Sequence, residues 1–282
     1  MKYKKLSGFS DEISSDIISQ FESLSKLGIC YFEPRGINGK NISELSEDEA
    51  HDLKILMDKY AIKASSIGSP IGKIKLSDDF GKHFELFKNV VSVAKILDCN
   101  YIRMFSFYHD GDEWTEDERT LVIKQLRQLI EYARQNDIVL LHENEKDIYG
   151  DTAERCVDLM NELYSDNFKA VFDPANFVQS GEDTLNAYSV LNKYIAYMHI
   201  KDSDSSGRVV PAGFGMGNIE KILYSLFNNG YNGFLSLEPH LGSFEGLSDL
   251  ELTNIADELP EGGEGTFKIA YNALCDILNK IL

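Results

Sequence analysis

Four apolar segments in the second half of the sequence each end in a side chain that can bind a metal ion. Segments 138–143, 170–173, 195–199 and 234–238 end in Glu143, Asp173, His199 and Glu238. Carboxylates that are forced together repel one another strongly where the dielectric is low, and a divalent cation removes that repulsion. One imidazole and three carboxylates suit Mn²⁺ best, with Mg²⁺, Co²⁺ or Zn²⁺ as alternatives. We therefore predict one divalent metal ion held by these four residues.

Each of these residues, taken alone, has a simpler explanation. A single Glu or Asp at the end of a strand is more often a solvated side chain or a helix cap, and a single His is more often packed or exposed. Four successive segments with the same kind of ending favour a metal site over four coincidences. The four cysteines of the chain form no CxxC pair, so a structural zinc site is not indicated.

The four segments belong to a longer alternation of apolar runs and amphipathic stretches. The runs that we interpret as strands cover 5–9, 29–33, 62–67, 101–105, 138–143, 170–173, 195–199 and 234–238. Eight strands alternating with helices predict an α/β fold, the (β/α)₈ or TIM barrel, as a single domain over 1–282. An open doubly wound sheet is the alternative, although no G-x-G-x-x-G follows the first strand. In a barrel, the C-terminal strand ends surround one mouth, where the four ligands would converge.

Local signals mark the ends of several helices. Residues 46–49 and 115–118 match capping boxes, in which a hydroxyl and a glutamate satisfy N–H groups of the first turn. Gly28 follows an apolar stripe, as a glycine at the end of a helix does. We expect the last helix to cover 267–281.

Two loops are long or rich in glycine. Residues 241–265 form a long acidic insertion before the last helix, which we interpret as a lid, an oligomer contact or a loose loop. The segment Gly213-Phe-Gly215-Met-Gly217 precedes a helix. It is either a flexible turn or a nest of backbone N–H groups for a ligand.

The charge of the chain limits its partners. The 282 residues carry a formal charge of 28 − 46 = −18, which repels nucleic acid and anionic membrane surfaces. No apolar run is long enough to span a membrane, and the N-terminus does not resemble a signal peptide. We expect a cytoplasmic protein that binds a small molecule, with a homo-oligomer as an open possibility.

Further side chains are predicted near the barrel mouth. Lys201 lies two residues beyond the predicted ligand His199, so it faces the same way and either binds a substrate oxygen or phosphate or pairs with a carboxylate. Glu33 and Arg103 either form an internal ion pair or contact substrate. His109 and Trp114 follow the fourth strand and are candidates for substrate contact.

Other histidines are expected to have structural or surface roles. His142 neighbours the predicted ligand Glu143, so strand alternation directs it to the opposite face of the sheet. His51 and His83 lie in predicted helices, where we expect them to face solvent.

The sequence resembles the sugar phosphate isomerase/epimerase family, which has the xylose isomerase-like barrel. The matching segments are Leu-His-Glu143-Asn, Phe-Asp173-Pro-Ala-Asn176-Phe, Met-His199-Ile-Lys201-Asp202, Leu-Glu238-Pro-His240, Gly8-Phe-Ser-Asp-Glu-Ile and Phe-Glu33-Pro-Arg35-Gly. The resemblance spans nearly the whole chain. It implies that the four predicted ligands match the metal ligands of the family.

The resemblance also implies roles in catalysis. In the ketose epimerases of the family, the two metal-binding glutamates act as acid and base on opposite faces of the sugar; here they are Glu143 and Glu238. Asn176 stands where those epimerases often have a substrate-binding His, which is a departure from their pattern. Arg208 resembles a family arginine near the metal and the substrate, although its loop is longer here.

The activity implied is a metal-dependent isomerase or epimerase of a sugar or sugar phosphate, which transfers protons through a metal-stabilised enediolate. A metal-dependent dehydratase, as in relatives that dehydrate inososes or dehydroshikimate, is the first alternative. A DNA repair enzyme like endonuclease IV is a remote alternative, because that enzyme has many histidine ligands and this chain is strongly acidic. A non-catalytic sugar sensor is disfavoured because all four ligands are retained.

Overall fold

Strands and helices alternate along the chain, as the apolar pattern predicts. The computed structural model describes residues 3–109, 111, 113–243 and 261–282. The described strands are β1 Leu6–Gly8, β2 Tyr31–Phe32, β3 Gly36–Ile37, β4 Lys40–Asn41, β5 Lys63–Ala64, β6 Ile67–Gly68, β7 Tyr101–Met104, β8 Val139–Glu143, β9 Phe168–Phe172, β10 Ile195–Ile200, β11 Asp202–Ser203, β12 Val209–Val210 and β13 Phe234–Leu237. The described α-helices are α1 Ile17–Leu27, α2 Glu47–Tyr60, α3 Phe80–Ile96, α4 Glu116–Gln135, α5 Ala153–Leu163, α6 Pro174–Gln179, α7 Thr184–Leu191, α8 Ile219–Asn228 and α9 Glu264–Ile281.

The main sheet is parallel and curls into a barrel. Its seven strands lie in the order β1-β13-β10-β9-β8-β7-β6. The separate pair β2–β5 fills the remaining gap, because the Glu33 N–H donates to Gly8 O at 2.9 Å and the Gly68 N–H donates to Pro34 O at 2.8 Å. The predicted TIM barrel is confirmed, and the doubly wound alternative is wrong because the two ends of the sheet are joined.

Two predicted strands differ from the structure in ways that affect the site. The third predicted strand, 62–67, is split into β5, which pairs with β2, and β6, which pairs with β7. The sixth strand begins at Phe168 and ends at Phe172, so Asp173 lies just beyond it and caps helix α6. A strand end that becomes a helix cap holds its side chain at the mouth of the barrel.

The predicted helix signals are confirmed where they can be compared. Ser46 and Thr115 both form capping boxes, at the starts of α2 and α4. Gly28 ends α1 in the left-handed conformation, with φ of +70°. Helix α9 begins at Glu264, three residues before the expected start, and includes Gly265 in its first turn. Most of the predicted insertion, 244–260, lies outside the described residues.

Apolar side chains fill the space between the barrel and its surrounding helices. Phe21 and Leu24 on α1 and Phe87 and Val90 on α3 are fully buried. Burying each side chain of this size stabilises the fold by about 1.5–3 kcal/mol. No helix among the described residues is both long and apolar enough to cross a membrane.

Candidate metal centre

The four predicted ligands meet at the C-terminal end of the barrel. Glu143 ends β8, Asp173 follows β9, His199 lies near the end of β10 and Glu238 follows β13. Each offers one ligand atom, and these atoms lie within 4.8 Å of one another. All four side chains are buried. We refer to these four residues as the quartet.

His199 presents its two ring nitrogens to different neighbours. Its Nδ1 lies 2.7 Å from Glu143 Oε1 and 3.5 Å from Glu238 Oε2, so this nitrogen faces the quartet. Its Nε2 lies 3.3 Å from a carboxylate oxygen of Glu33, which is behind the ring. A carboxylate on the far nitrogen fixes the tautomer and the orientation of a metal-binding histidine.

Asp173 uses its two oxygens differently. Oδ1 accepts the backbone N–H of Asn176 and caps helix α6. Oδ2 is buried and accepts no hydrogen bond from any described residue, although Lys201 Nζ lies 3.2 Å away. A buried carboxylate oxygen without a hydrogen bond is costly, so it needs a positive partner. This oxygen and the hard donor set around it fit a divalent metal ion.

Both glutamates of the quartet place one oxygen on an arginine. Glu143 Oε2 lies 3.2 Å from Arg103 Nε, and Glu238 Oε1 lies 3.1 Å from Arg35 Nη1. The other oxygen of each glutamate faces His199 Nδ1. The two carboxylates are therefore oriented by cations that lie outside the quartet.

Burial and mutual repulsion shift the acidities in the quartet. Burial raises the pKa of Asp173 to about 7, and the charges of Glu143 and Glu238 add to that rise. Burial acts in the same direction on Glu238, but Lys201 and His240 hold its pKa well below the usual value. Burial would lower the pKa of His199, yet the carboxylates of Glu143 and Glu33 hold it well above the usual value. Protons on these atoms therefore compete with any metal ion.

Comparison with known proteins assigns the family. Residues 21–259 match the family described as the xylose isomerase-like TIM barrel. The chain belongs to this family. The resemblance that the strand-end motifs indicate is thus confirmed at the level of fold and family.

Members and structural relatives of the xylose isomerase-like family differ in activity. The 3-dehydroshikimate dehydratase of Bacillus anthracis is 25% identical over 160 residues, which are 57% of this chain and 56% of that protein. The chain thus spans only about half the length of the curated relative that it matches. The crystal structure of the IolI protein with a bound zinc atom has a TM-score of 0.77 at 18% identity and covers 99% of both chains. The structure of L-ribulose 3-epimerase has a TM-score of 0.75 at 19% identity and covers 98% of this chain and 95% of its own. Likenesses at these identities show the shared fold.

Lys201 and Asn176, which are predicted site residues like Arg103 and Glu33, also contact the quartet in this xylose isomerase-like barrel. Lys201 Nζ lies 3.2 Å from Asp173 Oδ2 and 3.1 Å from Glu238 Oε2, so it forms the carboxylate pairs that were one of its two expected roles. Asn176 donates from Nδ2 to Asn144 O at 2.9 Å and lies 3.4 Å from Glu143 Oε1.

The expected ion pair between Glu33 and Arg103 is wrong. The carboxylate that Arg103 contacts is Glu143, because the two residues lie on adjacent strands, β7 and β8. Glu33 instead accepts from the hydroxyls of Tyr197 and Ser236, at 2.8 and 2.7 Å, and lies behind His199. It is fully buried, so its place fits orientation of the histidine rather than substrate contact.

Arg208 is not brought to the quartet. It lies in the β11–β12 hairpin, where it pairs with Asp204 and is 73% exposed. The hairpin turn holds these two residues together in solvent, so the guanidinium does not reach the barrel mouth in the described structure.

His109 and Trp114 line a cavity of about 670 Å³ beside the loops after β7 and β8. Their rings meet edge to face, with centroids 4.7 Å apart, and Trp114 also contacts Tyr149. The lining of this cavity does not include the quartet. The structure therefore places these two residues, which were predicted to contact substrate, in a cavity beside the loops after β7 and β8 and not at the quartet.

A chain of hydrogen bonds runs through the barrel interior to Glu33. Because a carboxylate only accepts, Tyr197 donates its hydroxyl to Glu33. Ser65 Oγ lies 2.8 Å from the Tyr197 hydroxyl and 2.5 Å from Ser7 Oγ, and it also donates to the Phe32 carbonyl oxygen at 3.0 Å. All four side chains are in the buried interior, so the orientation of Glu33 depends on residues deep in the barrel.

The backbone N–H groups of the glycine-rich segment form a nest that binds the carboxylate of Asp202, a residue of the same chain. Asp202 is fully buried and accepts backbone N–H groups of Gly213, Gly215 and Gly217 at 2.8–3.1 Å. A Cβ on Gly215 would lie 2.3 Å from Asp202 Oδ1. The glycines are needed for this close approach, which ties the loop to the strand end that carries His199.

Two of the three histidines that were expected to have structural or surface roles are buried. His142 is buried as a structural residue, in agreement with its expected face. His83 was expected in solvent, but it is 6% exposed and its Nε2 accepts the backbone N–H of Gly72 at 2.8 Å. The loop before α3 folds over this histidine and uses it as an acceptor.

Several residues around Glu238 are not among the predicted site residues. Arg35 contacts Glu238, Asp11 and Glu12, and His240 Nε2 lies 3.6 Å from Glu238 Oε1. These residues lie in loops beyond strand ends, where alternation no longer predicts direction. Arg35 is two residues beyond Glu33, and this spacing was the available signal.

Proposed function

We propose that this protein is a metal-dependent isomerase or epimerase of a sugar or sugar phosphate. The observation that carries the proposal is the convergence of four buried ligand atoms within 4.8 Å at the mouth of a barrel. Family membership supports an enzyme, since its relatives include epimerases and a dehydratase. We propose one divalent ion in the quartet, with Mn²⁺ as the first candidate.

A divalent ion held by the quartet would act as a Lewis acid on a substrate carbonyl. Glu143 and Glu238 belong to β8 and β13, which are separated in the sheet by β9 and β10. They therefore approach the centre from two sides, so one can remove a proton beside the carbonyl while the other returns one. Lys201 lies between Asp173 and Glu238, where its ammonium can donate to a substrate oxygen.

The test is isotope exchange at the carbon that loses its proton. Mn²⁺-loaded protein is incubated in D₂O with a panel of ketoses and their phosphates, and deuterium is located by NMR. We expect deuterium in one substrate and its epimer or isomer. Glu143→Gln and Glu238→Gln are expected to lower the rate by about 10²–10⁴-fold.

Glu220→Gln is the matched control, because Glu220 lies on the outer helix α8 and pairs with Lys280. It is expected to retain the rate of the wild type. Protein that holds a metal ion but gives no exchange with any substrate of the panel would contradict the proposal.

A metal-dependent dehydratase is the second candidate. The curated relative is a 3-dehydroshikimate dehydratase, and Arg103 and Lys201 are buried cations that could bind a substrate carboxylate. The same proton abstraction followed by loss of a β-hydroxyl would give an enone. A new enone absorbance during incubation with hydroxylated cyclic ketones would favour this candidate over epimerisation.

A further inference from the structure

Arg35 is surrounded by three carboxylates in the barrel mouth. It lies between β2 and β3 and is buried. Its Nε and Nη2 contact the two oxygens of Asp11 at 2.8 and 3.1 Å, and Nη2 also lies 3.2 Å from Glu12. Its Nη1 contacts Glu238 Oε1 at 3.1 Å. The guanidinium thus joins the loop after β1 to a member of the quartet.

Packing fixes the position of this guanidinium. Arg35 lies over the Phe9 ring, 4.4 Å from its centroid, and Phe9 in turn meets the His199 ring edge to face. A Cβ on Gly68 would lie 2.7 Å from the Phe9 ring and 3.2 Å from Arg35 Cβ. The absence of a side chain at Gly68 therefore allows the ring and the arginine to approach this closely.

The contact with Arg35 determines how Glu238 is turned. A carboxylate is planar, so holding Oε1 also fixes the direction of Oε2. Glu238 Oε2 lies 3.5 Å from His199 Nδ1 and 3.1 Å from Lys201 Nζ, on the side of the quartet. Glu12 supports the arrangement because its carboxylate also accepts the backbone N–H of His240, two residues beyond Glu238, at 2.7 Å.

We propose that Arg35 is a positioning residue that fixes the orientation of the Glu238 carboxylate, so that one oxygen contacts the arginine while the other faces the metal centre. The inference rests on the proposed function in one respect, which is that the quartet holds a divalent ion. Arg103 differs from Arg35, because it contacts one carboxylate, Glu143, and the carbonyl oxygen of Ser69. Arg35 contacts three carboxylates, so its N–H groups connect Glu238 to the loop that carries Asp11 and Glu12.

The experiment compares Arg35→Lys with Arg119→Lys in the chain of 282 residues. Lysine keeps the positive charge but lacks the planar fork that grips two carboxylates at once. Arg119 is a matched control, since it grips Asp158 with two nitrogens at 2.8 and 2.6 Å and also contacts Glu162, on the outside of the barrel. Mn²⁺ affinity is measured by calorimetry, and the visible spectrum of the Co²⁺-loaded protein reports the ligand geometry.

Arg35→Lys is expected to weaken Mn²⁺ binding by about 10–100-fold, as loss of a partner that orients a metal ligand does. It is also expected to shift the Co²⁺ bands, while Arg119→Lys matches the wild type in both measurements. Arg35→Gln is expected to have a larger effect; if it fails to fold, Arg35→Lys decides alone.

Unchanged Mn²⁺ affinity in Arg35→Lys would overturn the inference. A lower affinity with an unchanged Co²⁺ spectrum would also overturn it, because the ligand geometry would then not depend on Arg35. Failure of the proposed function is distinguishable. If the quartet holds no ion, the wild type itself binds neither Mn²⁺ nor Co²⁺; if it holds an ion without catalysing exchange, the affinity and spectrum of Arg35→Lys still test the inference.

Discussion

At the scale of single residues, the direction of each polar atom decides what the site can do. His199 Nδ1 faces the quartet because Glu33 engages Nε2 on the other side of the ring. The types and order of the quartet could be predicted, because each member ends an apolar run. The directions of Arg35 and Arg208 could not be predicted with them, because both lie in loops, where the strand spacing that relates Arg35 to Glu33 does not fix whether a side chain turns inward, as Arg35 does, or pairs in solvent, as Arg208 does.

His83 gives a pH dependence to stability at this scale. Burial lowers the pKa of His83 to about 4, so it is neutral in the folded protein and accepts the Gly72 N–H. The unfolded chain binds a proton near pH 6.5, so this contribution to stability is complete above that pH and is lost as the pH falls toward 4. Between pH 6.5 and 5 the loss is about 2 kcal/mol.

Urea unfolding at several pH values tests this. His83→Gln keeps a hydrogen-bond acceptor and is expected to lose less stability on acidification than the wild type. His51→Gln, at an exposed position on α2, is the control and is expected to keep the wild-type dependence. Identical pH dependences for His83→Gln and the wild type would show that His83 does not titrate as described.

At the scale of elements, loops that follow strands are held by the strand ends themselves. Asp202 binds the loop 213–217, and Asp173 caps α6 immediately after β9. The elements could be predicted from the apolar alternation, whereas the split of the third strand could not. Its two parts, β5 and β6, are two residues each, which is too short for a period to be read.

Gly215→Ala tests the nest around Asp202. The added methyl group would lie 2.3 Å from Asp202 Oδ1 and 2.4 Å from Ser203 O. We expect a loss of about 1–3 kcal/mol in the free energy of unfolding, as for other overpacked sites. Gly265→Ala is the control, because nothing lies within 4 Å of its added atom in helix α9. Equal stabilities of the two variants would contradict the nest.

At the scale of the whole molecule, the barrel brings buried acidic side chains together at one end. The chain has a net charge of −18, and the quartet contributes three carboxylates that are buried together. The eight strands of the barrel and the common end at which the ligands meet could be predicted, because eight apolar runs that alternate with helices are typical of a closed barrel. The segment 244–260 lies outside the described residues, so the expected insertion stays a prediction.

Metal removal is expected to lower the stability of the entire fold. A ligand that binds only the folded state at about 100 times its dissociation constant adds about 2.7 kcal/mol to stability. Thermal unfolding of chelator-treated protein, with and without added Mn²⁺, measures this difference. Glu238→Gln is expected to lose most of the Mn²⁺ effect. A wild-type melting temperature that does not respond to Mn²⁺ would contradict binding at the quartet.

The hydrogen-bonded chain inside the barrel restricts how the sequence can drift during evolution. Tyr197 donates to Glu33 and its hydroxyl lies 2.8 Å from Ser65 Oγ, so replacing either hydroxyl alone removes a buried polar contact of the other at a cost of about 1–3 kcal/mol. We expect Tyr197→Phe combined with Ser65→Ala to cost less than the sum of the two single changes in urea unfolding; purely additive costs would refute this coupling. In homologues of this barrel, we therefore expect correlated substitutions at these buried hydroxyl positions, whereas positions on the outer surface vary independently.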